Sequence, residues 1–281
     1  MLIDFIQLIG GFLLLVWAAD RLVAGASATA RNLGVSPLII GLVIVGFGTS
    51  APELVVSAVA TVRGNAGLAV GNAIGSNIAN MGLILGFTAL VYPLRLESST
   101  LKREYPLLLL VMLVSLFLAI DMQLTRLEGF VLLGCLFAMI AWLIRFGMQR
   151  PASDPFAQEL EAEIPTDIPT RVAMFWLLIS LVALPASSHF LVEGAVGIAK
   201  TLDVSDTVIG LTIVAFGTSL PELATAITSA FRKEDDLAIG NIIGSNMFNL
   251  LGVLGIAAAI KPVEVQSCLL YTSPSPRDND W

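Results

Sequence analysis

Charge is scarce in this sequence. Of its 281 residues only 13% are Asp, Glu, Lys or Arg, while 56% are hydrophobic. An ordinary soluble domain carries about 25% charged residues. Histidine is nearly absent, with His189 alone, and the two cysteines are Cys135 and Cys268. Neither cysteine has metal-ligand spacing, so a disulfide framework and a zinc site are both excluded. No basic patch occurs, which excludes nucleic acid as a partner. No cofactor motif and no obligate protein partner is evident. The net charge of −7 does not signal an acidic surface at large. Much of it sits in one stretch holding Asp154, Glu159, Glu161, Glu163 and Asp167, which reads as a solvated loop.

What the chain has instead is long apolar runs along almost its whole length, so it is expected to be an all-α integral membrane protein. Candidate spans are 3–30, 36–62, 66–92, 105–120, 128–147, 171–199, 205–231 and 236–260, eight in all. The start, from Met1 to Phe5, lacks a positive stretch and a small-residue cleavage site. It is read as part of the first span and not as a signal peptide. Lys and Arg set the orientation. With the N-terminus outside, nine fall on the inner side (Arg31, Arg95, Lys102, Arg103, Arg145, Arg150, Arg171, Arg232, Lys233) and four on the outer side (Arg63, Arg126, Lys200, Lys261). The expectation is an N-terminus outside and the central loop in the cytoplasm, in the inner (plasma) membrane of the cell.

The strongest signal is self-similarity at an offset of 169 residues. Residues 41–86 and 210–255 align without a gap, with 23 of 46 positions identical. The first block runs Gly-Phe-Gly-Thr-Ser-Ala-Pro-Glu at 46–53 against Ala-Phe-Gly-Thr-Ser-Leu-Pro-Glu at 215–222; the second runs Gly-Asn-Ala-Ile-Gly-Ser-Asn at 71–77 against Gly-Asn-Ile-Ile-Gly-Ser-Asn at 240–246. Five predicted spans fall within one offset. Because five is odd, the copies cross the bilayer in opposite directions, an inverted-topology repeat with a site expected near the midplane. The chain then divides into a first repeat at 1–147, an acidic loop at 148–170, and a second repeat at 171–264.

Glu53 and Glu222 fall inside long apolar segments. A charge at the centre of a membrane helix costs about 2.5–3.5 kcal/mol even on the lenient insertion scale. A cation or a proton between two facing carboxylates offsets that cost. Pro52 and Pro221, each directly before a glutamate, free the carbonyls of Gly48 and Gly217. Thr49 and Ser50, with Thr218 and Ser219, add hydroxyls. Thr49 and Glu53, four apart, are expected to share a helix face. Asn72, Ser76 and Asn80 recur at four-residue spacing and are copied by Asn241, Ser245 and Asn249. Gly71 with Gly75 and Gly240 with Gly244 are expected to let helices approach closely. Two carboxylates, several hydroxyls, amide oxygens and free carbonyls suit a hard cation such as Ca²⁺ or Na⁺, and not a soft metal.

These paired motifs resemble the two alpha repeats of the calcium/cation antiporter superfamily, and most closely prokaryotic sodium/calcium exchangers. The resemblance covers about residues 1–264. It implies a fold of ten helices in two inverted halves of five, and exchange of Na⁺ for Ca²⁺ by alternating access. It also implies an ion site made of Glu53, Thr49, Ser50, Ser76 and Asn80 with Glu222, Thr218, Ser219, Ser245 and Asn249, joined by backbone carbonyls near Gly46 and Ala215. Many members carry Asp where Asn249 stands, which leaves the coupling ions open. Residues 265–281, rich in Ser and Pro, differ from everything before them. They are either a short natural tail or foreign sequence standing where the last two helices of the family would follow, and the second is the expectation.

Other classes fit less well. A cation/H⁺ antiporter on the same scaffold is the runner-up, because a glutamate can carry a proton. Broken helices in inverted repeats argue against a passive channel. An intramembrane hydrolase would need a nucleophile with a base, and the lone histidine lies far in sequence from the Ser/Thr motifs, so the chain is not expected to be an enzyme. Packing glue is the bland reading of the small polar stripes, and the duplication beside a Pro-Glu pair weighs against it.

Overall fold

The computed structural model of the chain describes residues 1–35, 37–64, 66–94, 98–147, 168–202 and 215–265. The acidic loop up to residue 167, the start of the span expected at 205–231, and the tail from residue 266 lie outside them.

The first repeat opens with α1 (Leu2–Leu33), ended by Gly34 in the left-handed conformation at φ 65°, whose N–H reaches the Ala30 and Arg31 carbonyls. A glycine there closes a helix without steric penalty. Next come α2 (37–49) and α3 (Ala51–Val62), bent 49° from one another. Helix α4 is Ala66–Val91, α5 is Ser98–Leu118 and α6 is Arg126–Gly147. The second repeat holds α7 (Thr170–Thr201), α8 (Ala215–Thr218), α9 (Leu220–Phe231) and α10 (Asp235–Ile260). Five described helices are long and apolar enough to cross a membrane, and the bent pair Gly41–Thr49 plus Ala51–Val62 makes a sixth. Many large apolar side chains face outward, such as Leu90, Phe117, Leu127 and Val182. In a bilayer such a surface is solvated by lipid.

Between α5 and α6 the chain turns at Met122, and the two-residue strand β1 (Gln123–Leu124) pairs antiparallel with β2 (Val263–Glu264). Helix α6 starts in a capping box. The Thr125 N–H donates to Glu128 Oε2 at 2.7 Å, and the Glu128 N–H donates to Thr125 Oγ1 at 3.3 Å. This is a reciprocal arrangement that satisfies two orphan donors.

Two helix crossings set the architecture. Helix α1 packs along α7 more extensively than any other described pair. A Cβ built on Gly25 would stand 2.8 Å from the Ala173 carbonyl and 2.7 Å from the Leu177 nitrogen. One on Gly194 would stand 2.5 Å from the Asp4 carbonyl and 2.5 Å from the Leu8 nitrogen. These contacts are images of each other under the repeat offset (25 + 169 = 194, 4 + 169 = 173, 8 + 169 = 177), so the duplication is present in space as a pseudo-twofold. The second crossing lays α2 on α10. A Cβ on Gly41 would stand 2.9 Å from the Leu237 carbonyl, and one on Gly244 would collide with the Leu42 carbonyl. Gly244 therefore permits the close approach expected of it, with Gly41 as its counterpart on α2. At Gly71 and Gly75 no described atom comes within 4 Å.

Helix α10 is buried along nearly its whole length, whereas its repeat mate α4 is buried over only a minority of its length. Around α10, residues from α4, α5 and α6 form one apolar core with Leu132, Met247, Phe248 and Leu251 among its members. A second core joins α1 and α7 through Leu22, Val23 and Leu184.

Candidate functional site

The prolines do not sit in helix interiors as the sequence suggested. The helix breaks at Ser50 (φ −82°, ψ 2°) and again at Ser219 (φ −91°, ψ 3°), and Pro52 and Pro221 fall in the first turn of α3 and α9. A missing N–H does no harm there. The break carries a second consequence. Thr49 and Glu53 lie on different helices, so the expected shared face does not exist, and Thr49 turns instead to the other repeat. Its Oγ1 donates to Asn241 Oδ1 at 3.0 Å and lies 3.2 Å from Ser245 Oγ.

The two halves serve each other's acids. Glu222 Oε1 accepts from Ser50 Oγ of the first repeat and from Ser245 Oγ of α10, both at 3.4 Å. Glu53 lies beside Thr218 of the second repeat and is near enough to Glu222 for their charges to act on one another. Both glutamates are 1% exposed. Glu222 Oε2 is buried without a hydrogen-bond partner. Each glutamate is held at its backbone by the same residue of its own repeat. Asn72 Nδ2 donates to the Glu53 carbonyl at 3.3 Å, and Asn241 Nδ2 to the Glu222 carbonyl at 3.5 Å.

Other expected ligands are buried as well. Ser219 and Ser76 are buried. The Gly46 carbonyl accepts from Thr49 Oγ1 at 3.4 Å and from Ser245 Oγ at 3.5 Å, which puts it inside the cluster. Asn80 and Asn249 are each 1% exposed. Asn80 Nδ2 donates to Asn246 Oδ1 at 3.1 Å, while Asn80 Oδ1 and both amide atoms of Asn249 have no partner. The Gly217 carbonyl, expected to be free, accepts from Ser188 Oγ of α7 at 2.5 Å.

Three helices in this cluster widen into π-helical turns, at Gly41–Val45, Ala79–Ile84 and Asn249–Val253. Two of these are repeat mates, and one opens on Asn249 while the other contains Asn80. Such turns are frequent at functional sites.

The sequence placed Asn72 and Asn241 in the stripe that supplies amide oxygens but not among the ion ligands, and did not single out Asn77, Asn246 or Ser188. The signal for the asparagines was available, because all four are identical between the copies. Ser188 has no such signal, since its mate is Ala19.

An arrangement of two buried carboxylates, hydroxyls from both repeats, a backbone carbonyl and unpartnered amide oxygens has the chemistry of an oxygen-rich cation site. The comparisons with known proteins agree. Residues 3–145 and 172–275 match the sodium/calcium exchanger protein family. The chain is 50% identical over 262 residues to CaxA of Alkalimonas amylolytica, covering 93% of this chain and 82% of that protein. It is 33% identical over 315 residues to the sodium/calcium exchanger MaX1 of Methanosarcina acetivorans, covering 97% and 87%. The solved structure of the sodium-calcium exchanger NCX_Mj superposes with a TM-score of 0.83 at 30% identity, over 96% of this chain and 86% of that one. A family match across both repeats, with relatives at this identity over this length, means that the chain belongs to the sodium/calcium exchanger family.

Proposed function

We propose that the protein is a secondary antiporter of the plasma membrane that exchanges Na⁺ for Ca²⁺ by alternating access. The ions bind near the midplane to Glu53, Thr49, Ser50, Ser76 and Asn80 from one repeat and Glu222, Thr218, Ser219, Ser245 and Asn249 from the other. The observation that carries this reading is the exchange of ligands between halves: Ser50 of the first repeat donates to Glu222 of the second, and Thr218 of the second lies beside Glu53 of the first. A site shared in this way is remade whenever the halves rock against one another, which is what alternating access around a fixed site requires. The flexible coordination of Ca²⁺ by six to eight oxygens suits such a mixed ligand set. The N-terminus lies outside and the central loop inside, on the distribution of Lys and Arg.

A cation/H⁺ antiporter is the second reading, favoured by one feature: position 249 contributes a neutral amide, so only two acids are available to balance charge, and either can carry a proton. Proteoliposomes loaded with Na⁺ and diluted into Na⁺-free buffer with ⁴⁵Ca²⁺ separate the two. Na⁺-driven uptake that is lost in Glu53→Gln and in Glu222→Gln is the expected result. Uptake that ignores Na⁺ and follows a pH gradient would replace this reading with the proton-coupled one.

A further inference from the structure

The pseudo-twofold is broken in one place beside the site. Under the repeat offset Asn77 corresponds to Asn246 (77 + 169 = 246) and Asn80 to Asn249 (80 + 169 = 249). In the structure Asn80 Nδ2 donates to Asn246 Oδ1 at 3.1 Å and Asn77 Nδ2 donates to the Asn246 carbonyl at 3.2 Å. The image of the first bond would run from Asn249 Nδ2 to Asn77 Oδ1. It is not made: Asn249 Nδ2 and Asn77 Oδ1 are both buried, and neither has a partner. Buried amide groups without partners are rare in native structures and call for a cause. Here each orphan is the partner that symmetry assigns to the other.

A second asymmetry accompanies the first. Helix α1 packs against α9, but its repeat mate α7 makes no comparable packing against α3 among the described residues. One turn beyond Glu53, Val56 is 39% exposed, while its mate Thr225 (56 + 169 = 225), one turn beyond Glu222, is fully buried. Among the described residues, the turn beyond Glu53 is therefore the more accessible and the turn beyond Glu222 the less.

We propose that Asn77 and Asn246 are positioning residues that act as a two-position latch. Each holds the facing asparagine of the other repeat, Asn246 holding Asn80 in the state seen here and Asn77 holding Asn249 in the opposite access state. The bond also orients the ligand. With Nδ2 engaged on Asn246, the atom of Asn80 left unpartnered is Oδ1, the one a cation needs. Asn249, with neither atom engaged, takes up that orientation only when the halves exchange roles. In an inverted-repeat carrier the two access states are related by this exchange, so one bond replaces the other and the two states hold the same number of these bonds. The latch rests on the exchanger reading of the site, but its test does not depend on which ions move.

The test measures conformation without ions. The full chain carrying Cys135→Ser and Cys268→Ser is purified in detergent, free of Na⁺ and Ca²⁺, with Val56→Cys or Thr225→Cys as the single reporter. The rate of modification by a small cationic methanethiosulfonate is read at each. Losing one hydrogen bond of this kind shifts an equilibrium by about fivefold. Asn80→Ala removes a bond of the present state alone, so the ratio of Val56→Cys to Thr225→Cys rates falls about fivefold. Asn249→Ala removes a bond of the opposite state alone, so the ratio rises by a similar factor. The double variant returns towards the parent, and Asn77→Ala or Asn246→Ala, each of which takes one bond from each state, shifts the ratio little. Asn80→Ser and Asn249→Ser take their place if an alanine variant does not elute as the parent does on gel filtration. Opposite shifts are the expected result, because residues that merely stabilise the fold would not move the ratio in two directions. Shifts of the same sign, or none from either variant, would overturn the latch. Failure of Na⁺-driven Ca²⁺ uptake would leave this measurement standing, and failure of the latch would leave the exchanger reading standing.

Discussion

The oxygens around Glu222 come from separate stretches of chain: Ser50 at the break in the first repeat, Ser245 on α10, and Thr49 through Ser245. On the proposed function, each hydroxyl that donates to the carboxylate turns its lone pairs to a bound cation, so its removal weakens binding without destroying the site. Ser50→Ala is expected to lower apparent Ca²⁺ affinity about fivefold, the worth of one net hydrogen bond, as read from the concentration dependence of ⁴⁵Ca²⁺ uptake. An unchanged affinity would place Ser50 outside the ion's reach. A different acid, Glu234, sits outside the spans. Its carboxylate lies 3.7 Å from Arg31 Nη2, yet burial pushes its carboxyl above the ordinary value of 4.5 against the opposing effects of Ser27, Arg31 and Arg232. A group raised in the folded state keeps its proton after the unfolded chain has lost it. Its contribution is complete below pH 4.5 and is lost as pH climbs through the raised folded value. Glu234→Gln is therefore expected to flatten the fall in thermal unfolding midpoint above pH 4.5. A profile that stays parallel to the parent's would contradict the assignment.

At the scale of elements, the contact between α1 and α7 depends on closely packed glycines, among them Gly11, Gly25 and Gly194. Gly25 and Gly194 bring each helix against the backbone of the other, and no side chain fits either gap. Gly194→Leu is expected to force the helices apart and destabilise the protein by about 1–3 kcal/mol, the usual range for overpacking a tight contact. It would show as a lower midpoint of thermal unfolding in detergent. Gly134, where a Cβ meets nothing within 4 Å, serves as the control, and Gly134→Ala is expected to leave the midpoint within about 0.5 kcal/mol of the parent. The positions of the long helices were legible in the sequence because apolar runs bounded by charge leave little choice. The spans expected at 3–30, 66–92 and 171–199 became Leu2–Leu33, Ala66–Val91 and Thr170–Thr201. The acids, serines and threonines of the proposed site stood out in the sequence because a duplication marks them twice. How those residues pair was not legible. Spacing of four placed Thr49 with Glu53, but the helix ends at Ser50, and Thr49 bonds Asn241 and Ser245 across 192 and 196 residues. Local periodicity carries no information on how inverted halves dock. Ser188 escaped notice for a related reason: its mate is Ala19, so the duplication is silent just where α7 reaches the Gly217 carbonyl.

At the scale of the whole molecule, the inverted repeat explains why an acid can be kept in an apolar interior at all. One glutamate alone would be an unpaired charge at membrane depth, costing about 2.5–3.5 kcal/mol or more. Two that meet across the pseudo-twofold repel each other unless a cation or a proton lies between them. On the proposed function, the fold is expected to be most stable with its cargo bound. A protein that binds a ligand only when folded gains stability with ligand concentration. Saturating Ca²⁺ at about a hundredfold excess over its dissociation constant is expected to raise unfolding stability by about 2.7 kcal/mol, and the effect should be absent in Glu53→Gln. The central claim is that both repeats build one shared site and not two half-sites. Equilibrium ⁴⁵Ca²⁺ binding to the purified full chain, with Glu53→Gln and Glu222→Gln as single variants, tests it directly. A shared site predicts that either substitution alone abolishes saturable binding. Retention of half the parent's binding capacity by each single variant, with affinity unchanged, would mean that the repeats bind Ca²⁺ independently and would contradict the account.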